Sequence, residues 1–460
     1  MGITSEISGS KPIPAWLLML PIAAASFVVH LSFWPGQMSP DSIYQWRQLT
    51  TGQLQDAHPF LSTLLYSIPF AVLPHPAFVI AVQYVVFAWA AAVFLREVGR
   101  AGVPAPVVVL ATLIFAVFPP NALISTTMWK DVPYCIGLLL LSAAALRLVL
   151  GRFRITAGLA LWLMLSGALV VGTRHNGVLT IVPFFIIVAL VAPAGFRRPF
   201  LWMTLGQIAF FVAIKTVLLT ILSVAPVPDA YKPIFSLPLI GAMIANGDPI
   251  SADDMAIVQQ VMPLEAWRSG YRCDSVDRLF WNPEISQGPL VQNAMALDLI
   301  AVRWVAAHPL GFVSHQLCMT RILWDPLPRP DERVAVSPRK ISNLPVADEL
   351  GLHSDPLLPS MRAALVGFYG RFLARSAVYN RPATFIWLGL AFAALLSRFW
   401  IPRLWVVFCP ALLNCVGLAP LILSQDYRYA WPSEAVAVIF IVVGFWWVFV
   451  RPPAVVRMDT

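Results

Sequence analysis

The chain has 460 residues, of which 59% are hydrophobic and 12% are charged. Soluble domains carry roughly a quarter charged residues, so this composition excludes a soluble globular protein and indicates an integral membrane protein. The formal net charge is +8, but the cations are spread through short segments between apolar stretches. That distribution favours a role in membrane orientation and argues against a nucleic-acid partner.

Apolar stretches recur along the chain, and their length of roughly 17 to 23 residues matches a helix that crosses a bilayer core of about 30 Å. The first, from Ala15 to Trp34, fits a signal anchor better than a cleaved signal peptide, because it is long and lacks a small-x-small cleavage site. We predict an all-α bundle of about ten spans, near residues 15–34, 76–95, 106–124, 133–150, 156–172, 177–193, 200–222, 383–397, 404–423 and 433–450.

The cations predict the orientation of these spans. With the N-terminus inside, the outer loops between spans hold only Arg47, Lys130, Arg174 and Arg428. The predicted cytoplasmic segments hold Lys11, Arg96, Arg100, Arg147, Arg152, Arg154, Arg197, Arg198, Arg398, Arg403, Arg451 and Arg457. This asymmetry follows the positive-inside rule. The high share of arginine relative to lysine favours a bacterial source, so we expect a bacterial inner membrane with the site facing outwards.

Two segments are predicted to lie outside the bilayer core. Phe60 to Leu73 is short and interrupted by Pro69, so we expect a juxtamembrane helix on the outer interface. Val291 to Trp324 has apolar residues at helical spacing and reads as an amphipathic helix on the membrane. Three parts result: a seven-helix catalytic membrane module (1–224), an extracytoplasmic segment (225–382) and a three-helix membrane part (383–460).

Five polar clusters fall on the predicted outer side. They are the PDSIYQW run from Pro40, the DAHP run from Asp56, Lys130-Asp131, Arg174-His175 and Asp426-Tyr427-Arg428. Carboxylates and cations that meet at one face of a membrane bundle are what an enzyme needs to act on a lipid-linked anionic substrate. An alternative without a catalytic role is that Arg174 and His175 form a polar turn at the membrane interface. Arg428 could likewise serve with its aromatic neighbours as an interfacial anchor.

The first outer loop follows the first span directly. Helical spacing places Asp41, Tyr44, Gln45 and Gln48 on one face, where a carboxylate can reach a substrate at the membrane surface. The alternative is that Asp41 only caps a helix after Pro40.

This loop resembles that of the GT-C superfamily of polytopic glycosyltransferases, including protein O-mannosyltransferases and lipid A aminoarabinose transferases. The matching residues are Asp41, Tyr44, Gln45 and Trp46, then Asp56, His58 and Pro59, with an inserted Ala57 and with Phe60 in place of a second proline. Ser42 and Ile43 stand where many relatives have a second acidic residue. The resemblance covers residues 1–224 best.

The resemblance implies an inverting transfer of a sugar from a polyprenyl phosphate to a hydroxyl or amine of a lipid or glycan acceptor. It implies catalytic roles for Asp41, Asp56 and Asp131, with Asp41 as the base. Asp131 would share Mg²⁺ or Mn²⁺ with Asp41, or would only pair with Lys130 or another cation. The residues predicted to bind substrate are Tyr44, Gln45, His58, Lys130, Arg174, His175, Tyr427 and Arg428.

Several residues leave alternatives open. Lys215 lies within a predicted span, and it either snorkels to the outer surface or contacts the donor phosphate. Cys273 and Cys318 share one polar segment and could pair if that segment is extracytoplasmic. His308 and His315 lack a third ligand, so we assign no zinc site.

Three other functions compete with sugar transfer. A glycan polymerase or ligase would share most of these features, but the carboxylate in the first loop favours simple transfer. A transporter or flippase of lipid-linked substrate usually carries its ionisable residues at mid-membrane, in two repeated halves, which this chain does not show. A non-catalytic membrane scaffold is the last alternative.

Overall fold

The computed structural model describes residues 12–329, 338, 340–372 and 378–450, so Lys11, Arg451 and Arg457 lie outside the described residues. The described chain is helical and contains no sheet, with only isolated β-bridges between extended residues. The α-helices are α1 (Ala15–Ser32), α2 (Pro40–Thr51), α3 (Phe60–Val72), α4 (Pro76–Arg100), α5 (Ala105–Val117), α6 (Pro119–Ser125), α7 (Asp131–Leu150), α8 (Ala157–Thr173), α9 (Gly177–Val191), α10 (Arg197–Ala213), α11 (Leu219–Ile221), α12 (Ser236–Asn246), α13 (Ala252–Val261), α14 (Leu264–Gly270), α15 (Asp277–Phe280), α16 (Gln287–Gln292), α17 (Ala294–Ala307), α18 (Pro309–Met319), α19 (Arg321–Trp324), α20 (Pro345–Glu349), α21 (Pro359–Phe372), α22 (Pro382–Phe399), α23 (Cys409–Leu418) and α24 (Tyr427–Phe445).

Short helices of other types flank these elements. The 3₁₀ helices are Ala194–Phe196, Asp229–Phe235, Val378–Asn380 and Leu404–Val407, and the π-helical turns are Ile214–Leu218 and Trp446–Val450.

Six helices of the described chain are long and apolar enough to cross a membrane, which confirms an all-α integral membrane protein. They are Ala15–Ser32, Pro76–Arg100, Asp131–Leu150, Ala194–Ile221, Pro382–Phe399 and Tyr427–Val450. The number rises to at most eight if each of two bent helix pairs counts as one span. The predicted ten spans are therefore not confirmed.

The remaining predicted spans are bent or short. The stretch predicted at 106–124 bends by 59° between α5 and α6, where Pro119 and Pro120 follow each other and cannot donate backbone hydrogen bonds. The helices α8 and α9 have 17 and 15 residues. The stretch predicted at 404–423 divides into a 3₁₀ turn and the ten-residue helix α23.

The helix α7 lies at the centre of the membrane bundle, where it packs against α4 and α8 from the first half of the chain and α24 from the end. In its most apolar stretch, 89% of the residues are buried, which explains why its sequence is apolar on all sides. Small residues at Ala143, Ala144 and Ala145 are fully buried and let the neighbouring helices approach closely. The N-terminal end of α7 therefore lies among the ends of several other helices.

The segment between α11 and α22 has a hydrophobic core of its own, formed by residues of the helices from α12 to α17, with Leu237, Trp267 and Trp304 among its buried members. A disulfide joins Cys273 to Cys318, which is the pairing that the sequence left open. A disulfide is typical of an extracytoplasmic compartment.

The prediction of one continuous amphipathic helix from Val291 to Trp324 is wrong. The structure divides it into α17, α18 and α19, with a bend of 108° between α17 and α18. Pro309 is the first residue of α18. A proline ring disfavours helical geometry in the residue before it, so the chain turns at His308.

Candidate active site

Asp41 lies in the first turn of α2 but does not cap it. Ser39 is the N-cap residue, and its N–H donates to Ser42 Oγ at 3.1 Å. The interpretation of Asp41 as a cap is therefore wrong, because a residue with a shorter side chain takes that position. The Asp41 carboxylate is free to point out of the helix, and 30% of its side chain is exposed.

The predicted polar face of α2 divides into two parts. Tyr44 is 49% exposed. Gln45 turns inwards, where its amide donates to Ser62 Oγ at 2.9 Å and to Thr63 Oγ1 at 3.3 Å. Gln45 thus fixes α2 on α3, and Tyr44 remains beside Asp41 on the open side.

Asp41 pairs with Arg428 from the other end of the chain. The Arg428 guanidinium donates to Asp41 Oδ2 at 2.7 Å, and its Nε lies 3.0 Å from Asp426 Oδ2. Asp426 also caps α24, since its Oδ1 accepts the backbone N–H of Arg428 at 3.2 Å. The guanidinium lies over the Trp129 ring at 5.0 Å. Arg428 is therefore held between two carboxylates and an aromatic face in one orientation.

Lys130 and His58 lie on the other side of Asp41. Lys130 Nζ is 2.7 Å from His58 Nδ1, and His58 Nε2 is 3.8 Å from Asp41 Oδ1. Burial and the charge of Lys130 lower the pKa of His58 to about 3, so the ring is neutral at pH 7. We assign Nδ1 as the acceptor of the ammonium proton, which leaves the Nε2 proton facing Asp41.

Two pKa shifts follow from this arrangement. Burial would raise the pKa of the Asp41 carboxyl, but the charges of Arg428 and Lys130 hold it well below its usual range. Burial lowers the pKa of Lys130 to about 8, even though Asp41 favours its charged form. At neutral pH the carboxylate is ionised and the lysine is mostly protonated.

Asp131 and Arg174 form a second ion pair next to the first. Arg174 donates to Asp131 Oδ1, and both side chains are buried. Asp131 also lies in the first turn of α7, where the helix dipole stabilises a negative charge. The Arg174 and Arg428 guanidiniums both lie over the Tyr429 ring, at 4.8 and 5.2 Å from its centroid. Tyr429 therefore links the two pairs.

We call these residues the loop cluster; its members are Asp41, His58, Trp129, Lys130, Asp131, Arg174, Asp426, Arg428 and Tyr429. They come from the start of α2, the loop before α3, the start of α7, the end of α8 and the start of α24. All of these positions lie at one end of the bundle.

The predicted metal ligands Asp41 and Asp131 each form an ion pair with an arginine. No group of three or more His, Cys, Asp and Glu side chains in the described part of the chain is placed to hold a metal. Asp131 Oδ2 is the one oxygen of these two carboxylates that is buried without a hydrogen-bond partner. A cation bound by both carboxylates would compete with Arg428 and Arg174, so the residues fit such a metal poorly, and Mg²⁺ or Mn²⁺ stays a prediction.

Asp56 lies beside the loop cluster with a different partner. Its Oδ1 accepts the Phe60 backbone N–H at 3.1 Å at the start of α3, and its Oδ2 pairs with Lys215. The sequence predicted that Lys215 either snorkels to the outer surface or contacts the donor phosphate. Neither interpretation included a carboxylate partner. His175 is exposed and hydrogen-bonds to the backbone of Ala57. These contacts connect the first outer loop to the segment after α8 and to the π-helical turn Ile214–Leu218.

Tyr427 lies away from the loop cluster. Its hydroxyl donates to Glu434 Oε1 at 2.7 Å inside the bundle, and its side chain is buried. Tyr429, two residues further on, takes the place beside the arginines. The sequence placed Asp426 in a polar cluster without assigning it a role, and Tyr429 and Trp129 were not predicted as site residues. Each of the three lies within two residues of a predicted cation in the chain, which was the available signal.

The outer segment approaches the loop cluster at Tyr231. Burial raises the pKa of this tyrosine, and the charges of Tyr44 and Asp41 add to the shift, which requires that they lie close by. The 3₁₀ helix Asp229–Phe235 thus brings Tyr231 towards Tyr44 and Asp41.

The structure thus defines an all-α integral membrane protein with a charged cluster at one end of its bundle. No family model, no curated protein and no solved structure matches the chain.

Proposed function

We propose that this protein is an inverting membrane glycosyltransferase that uses a polyprenyl-phosphate sugar donor and a lipid or glycan acceptor. The observation that carries the proposal is the pairing of Asp41 with Arg428, beside Lys130 and His58, at the end of a membrane bundle. One carboxylate for the acceptor and several cations for a phosphate are the chemical groups that such a transfer requires.

The donor phosphate would bind to the cations of the loop cluster. Arg428 and Lys130 are part-buried, so a phosphate oxygen that reaches them meets charges that water screens weakly. The polyprenyl chain would stay in the bilayer, because the cluster lies at helix ends and not at mid-membrane.

Phosphate binding would also activate Asp41. Without a ligand, the ion pair with Arg428 holds the pKa of Asp41 well below its usual range, which makes the carboxylate a weak base. A phosphate that takes over Arg428 weakens this pair, and the basicity of Asp41 rises. The base would then become competent only when the donor is present.

In the transfer step, the acceptor oxygen or nitrogen attacks the anomeric carbon of the sugar from the face opposite the phosphate. The bond from that carbon to the phosphate oxygen breaks, and the new bond forms with inversion. Asp41 takes the acceptor proton, and the charge that develops on the leaving phosphate is stabilised by Arg428 and Lys130. A positioned base of this kind contributes about 10²- to 10⁴-fold to the rate.

The proposal is tested by transfer of radiolabelled sugar from a panel of polyprenyl-phosphate sugars to acceptors in membranes that contain the protein. Asp41→Asn is compared at matched expression with Asp253→Asn, because Asp253 is exposed on α13, outside the loop cluster. We expect Asp41→Asn to lose at least 100-fold of the activity, on the order of a lost base, and Asp253→Asn to behave as wild type. Equal activity in the two variants would remove Asp41 from the mechanism. Absence of transfer from every donor would favour a polymerase, a ligase or a transporter.

A further inference from the structure

A groove lies on the membrane face of α4, α7 and α8, towards the end of the bundle opposite the loop cluster. Its volume is about 570 Å³, and its wall is apolar, with Trp89, Leu140, Leu161 and Leu165 among the lining residues. The side chains of Trp89, Leu161 and Leu165 are exposed in the protein alone. The groove is therefore a recess in the surface that faces lipid.

A second recess adjoins the groove and has the opposite character. It has a volume of about 760 Å³ and is lined by Arg147, Arg152 and Arg154 from the end of α7 and the following turn. The two recesses share Gly158 and Trp162 in their walls, so they form one continuous surface. That surface is apolar along its length and cationic at one end.

The cationic end has a surplus of positive charge. Glu97 is the only carboxylate that pairs with Arg147 in the described part of the chain, and it also accepts from Arg100 at 2.5 Å. Arg152 and Arg154 are exposed, and neither forms an ion pair with another described residue. The lining of the recess thus holds three arginines and no carboxylate, and Glu97 pairs with only Arg147 among the three, which leaves the recess open to an anion.

The length of the groove matches one leaflet of a bilayer. Along α8, the lining residues run from Gly158 to Leu169, and the eleven steps between them at 1.5 Å each span about 16.5 Å. Half of a hydrocarbon core of about 30 Å is about 15 Å. An acyl chain that starts at the arginines would therefore end near the middle of the membrane.

We propose that this surface binds an anionic phospholipid of the adjacent leaflet, which is the cytoplasmic one under the predicted topology. The headgroup phosphate lies between Arg152 and Arg154, and an acyl chain fills the groove. Gly158 faces the junction of the two recesses, where a Cβ would meet no atom within 4 Å, so a larger side chain at this position would extend into the junction. Basic recesses between transmembrane helices are known to bind such headgroups.

The test is native mass spectrometry of the full chain in detergent, titrated with phosphatidylglycerol or phosphatidylcholine. We expect wild type to prefer phosphatidylglycerol. Removal of both charges in Arg152→Gln/Arg154→Gln should weaken phosphatidylglycerol about 30-fold, at roughly a factor of five for each arginine near a lipid surface. The charge-matched control is Arg197→Gln/Arg198→Gln, which removes two exposed arginines that do not line the groove, and it should leave binding unchanged.

A second variant tests the groove without a change of charge. Gly158→Leu fills the junction and should weaken phosphatidylglycerol at least tenfold, with an unchanged elution volume as the check on folding. Equal binding of the two lipids would overturn the proposal, and so would equal weakening in the control pair. Displacement of the lipid by inorganic phosphate at equal concentration would also overturn it, because the site would then bind a soluble anion.

Discussion

Loss of Arg174 should destabilise the protein more than loss of any exposed arginine. Its partner Asp131 is fully buried, so Arg174→Gln leaves a carboxylate without its cation. Removal of one partner of a buried ion pair costs about 3 to 5 kcal/mol. Arg174 also lies over the rings of Tyr134 and Tyr429, at 5.4 and 4.8 Å, and each such contact contributes about 1 kcal/mol. We expect a total loss of about 5 to 7 kcal/mol.

The assay is reversible unfolding in mixed micelles, followed by tryptophan fluorescence. The control is Arg303→Gln, since Arg303 forms an exposed pair with Asp254 at 2.6 Å, and such pairs contribute less than about 1 kcal/mol. The double variant Asp131→Asn/Arg174→Gln should recover part of the loss, because no charge stays buried. A loss below about 1 kcal/mol for Arg174→Gln, the size expected of an exposed pair, would show that Asp131 does not depend on this partner.

Three further predictions concern pH, capping and the disulfide. Transfer activity should fall as the pH rises through about 8, because Lys130 loses its proton there, and in Lys130→Arg a pH profile should show no such fall. Asp56→Ala should lower the free energy of unfolding by about 2 kcal/mol in the same assay, because it removes both the hydrogen bond to the Phe60 N–H and the ion pair with Lys215. Asp56→Asn keeps the hydrogen bond to the Phe60 N–H and should lower it less. Reduction of the Cys273–Cys318 disulfide should destabilise the outer segment by about 4 kcal/mol, from the closure of a loop with a separation of 45 residues. Limited proteolysis before and after reduction measures that effect, and an oxidised pair in native membranes is expected if the segment is extracytoplasmic.

Composition and periodicity were enough to predict an all-α membrane protein, because the length of an apolar run directly reflects the thickness of the bilayer. They did not predict how the spans break. Pro119 and Pro309 begin new helices at bends of 59° and 108°, but a proline inside an apolar run is also compatible with a mild kink. The bend angle depends on neighbouring helices that the local sequence does not reveal.

The residues of the loop cluster were largely selected by type and by predicted side, but their pairing was not. Asp131 was expected to share a metal with Asp41 or to pair with Lys130 or another cation, and the cation is Arg174 from the end of α8. Lys215 was expected to snorkel to the outer surface or to contact the donor phosphate, and it pairs with Asp56. These partners are 43 and 159 residues apart, so only the packed bundle brings them together.

Donor binding and chemistry at the loop cluster can be measured separately. Purified wild type, Asp41→Asn and Arg428→Gln are compared for binding and for single-turnover transfer of one radiolabelled polyprenyl-phosphate sugar, chosen as the best donor in the panel. We expect Arg428→Gln to lose donor binding, because the phosphate loses a guanidinium that is held in place. We expect Asp41→Asn still to bind the donor but to transfer the sugar at least about 100-fold more slowly. Transfer by Asp41→Asn at the wild-type rate, or unchanged donor binding in Arg428→Gln, would contradict the proposed mechanism.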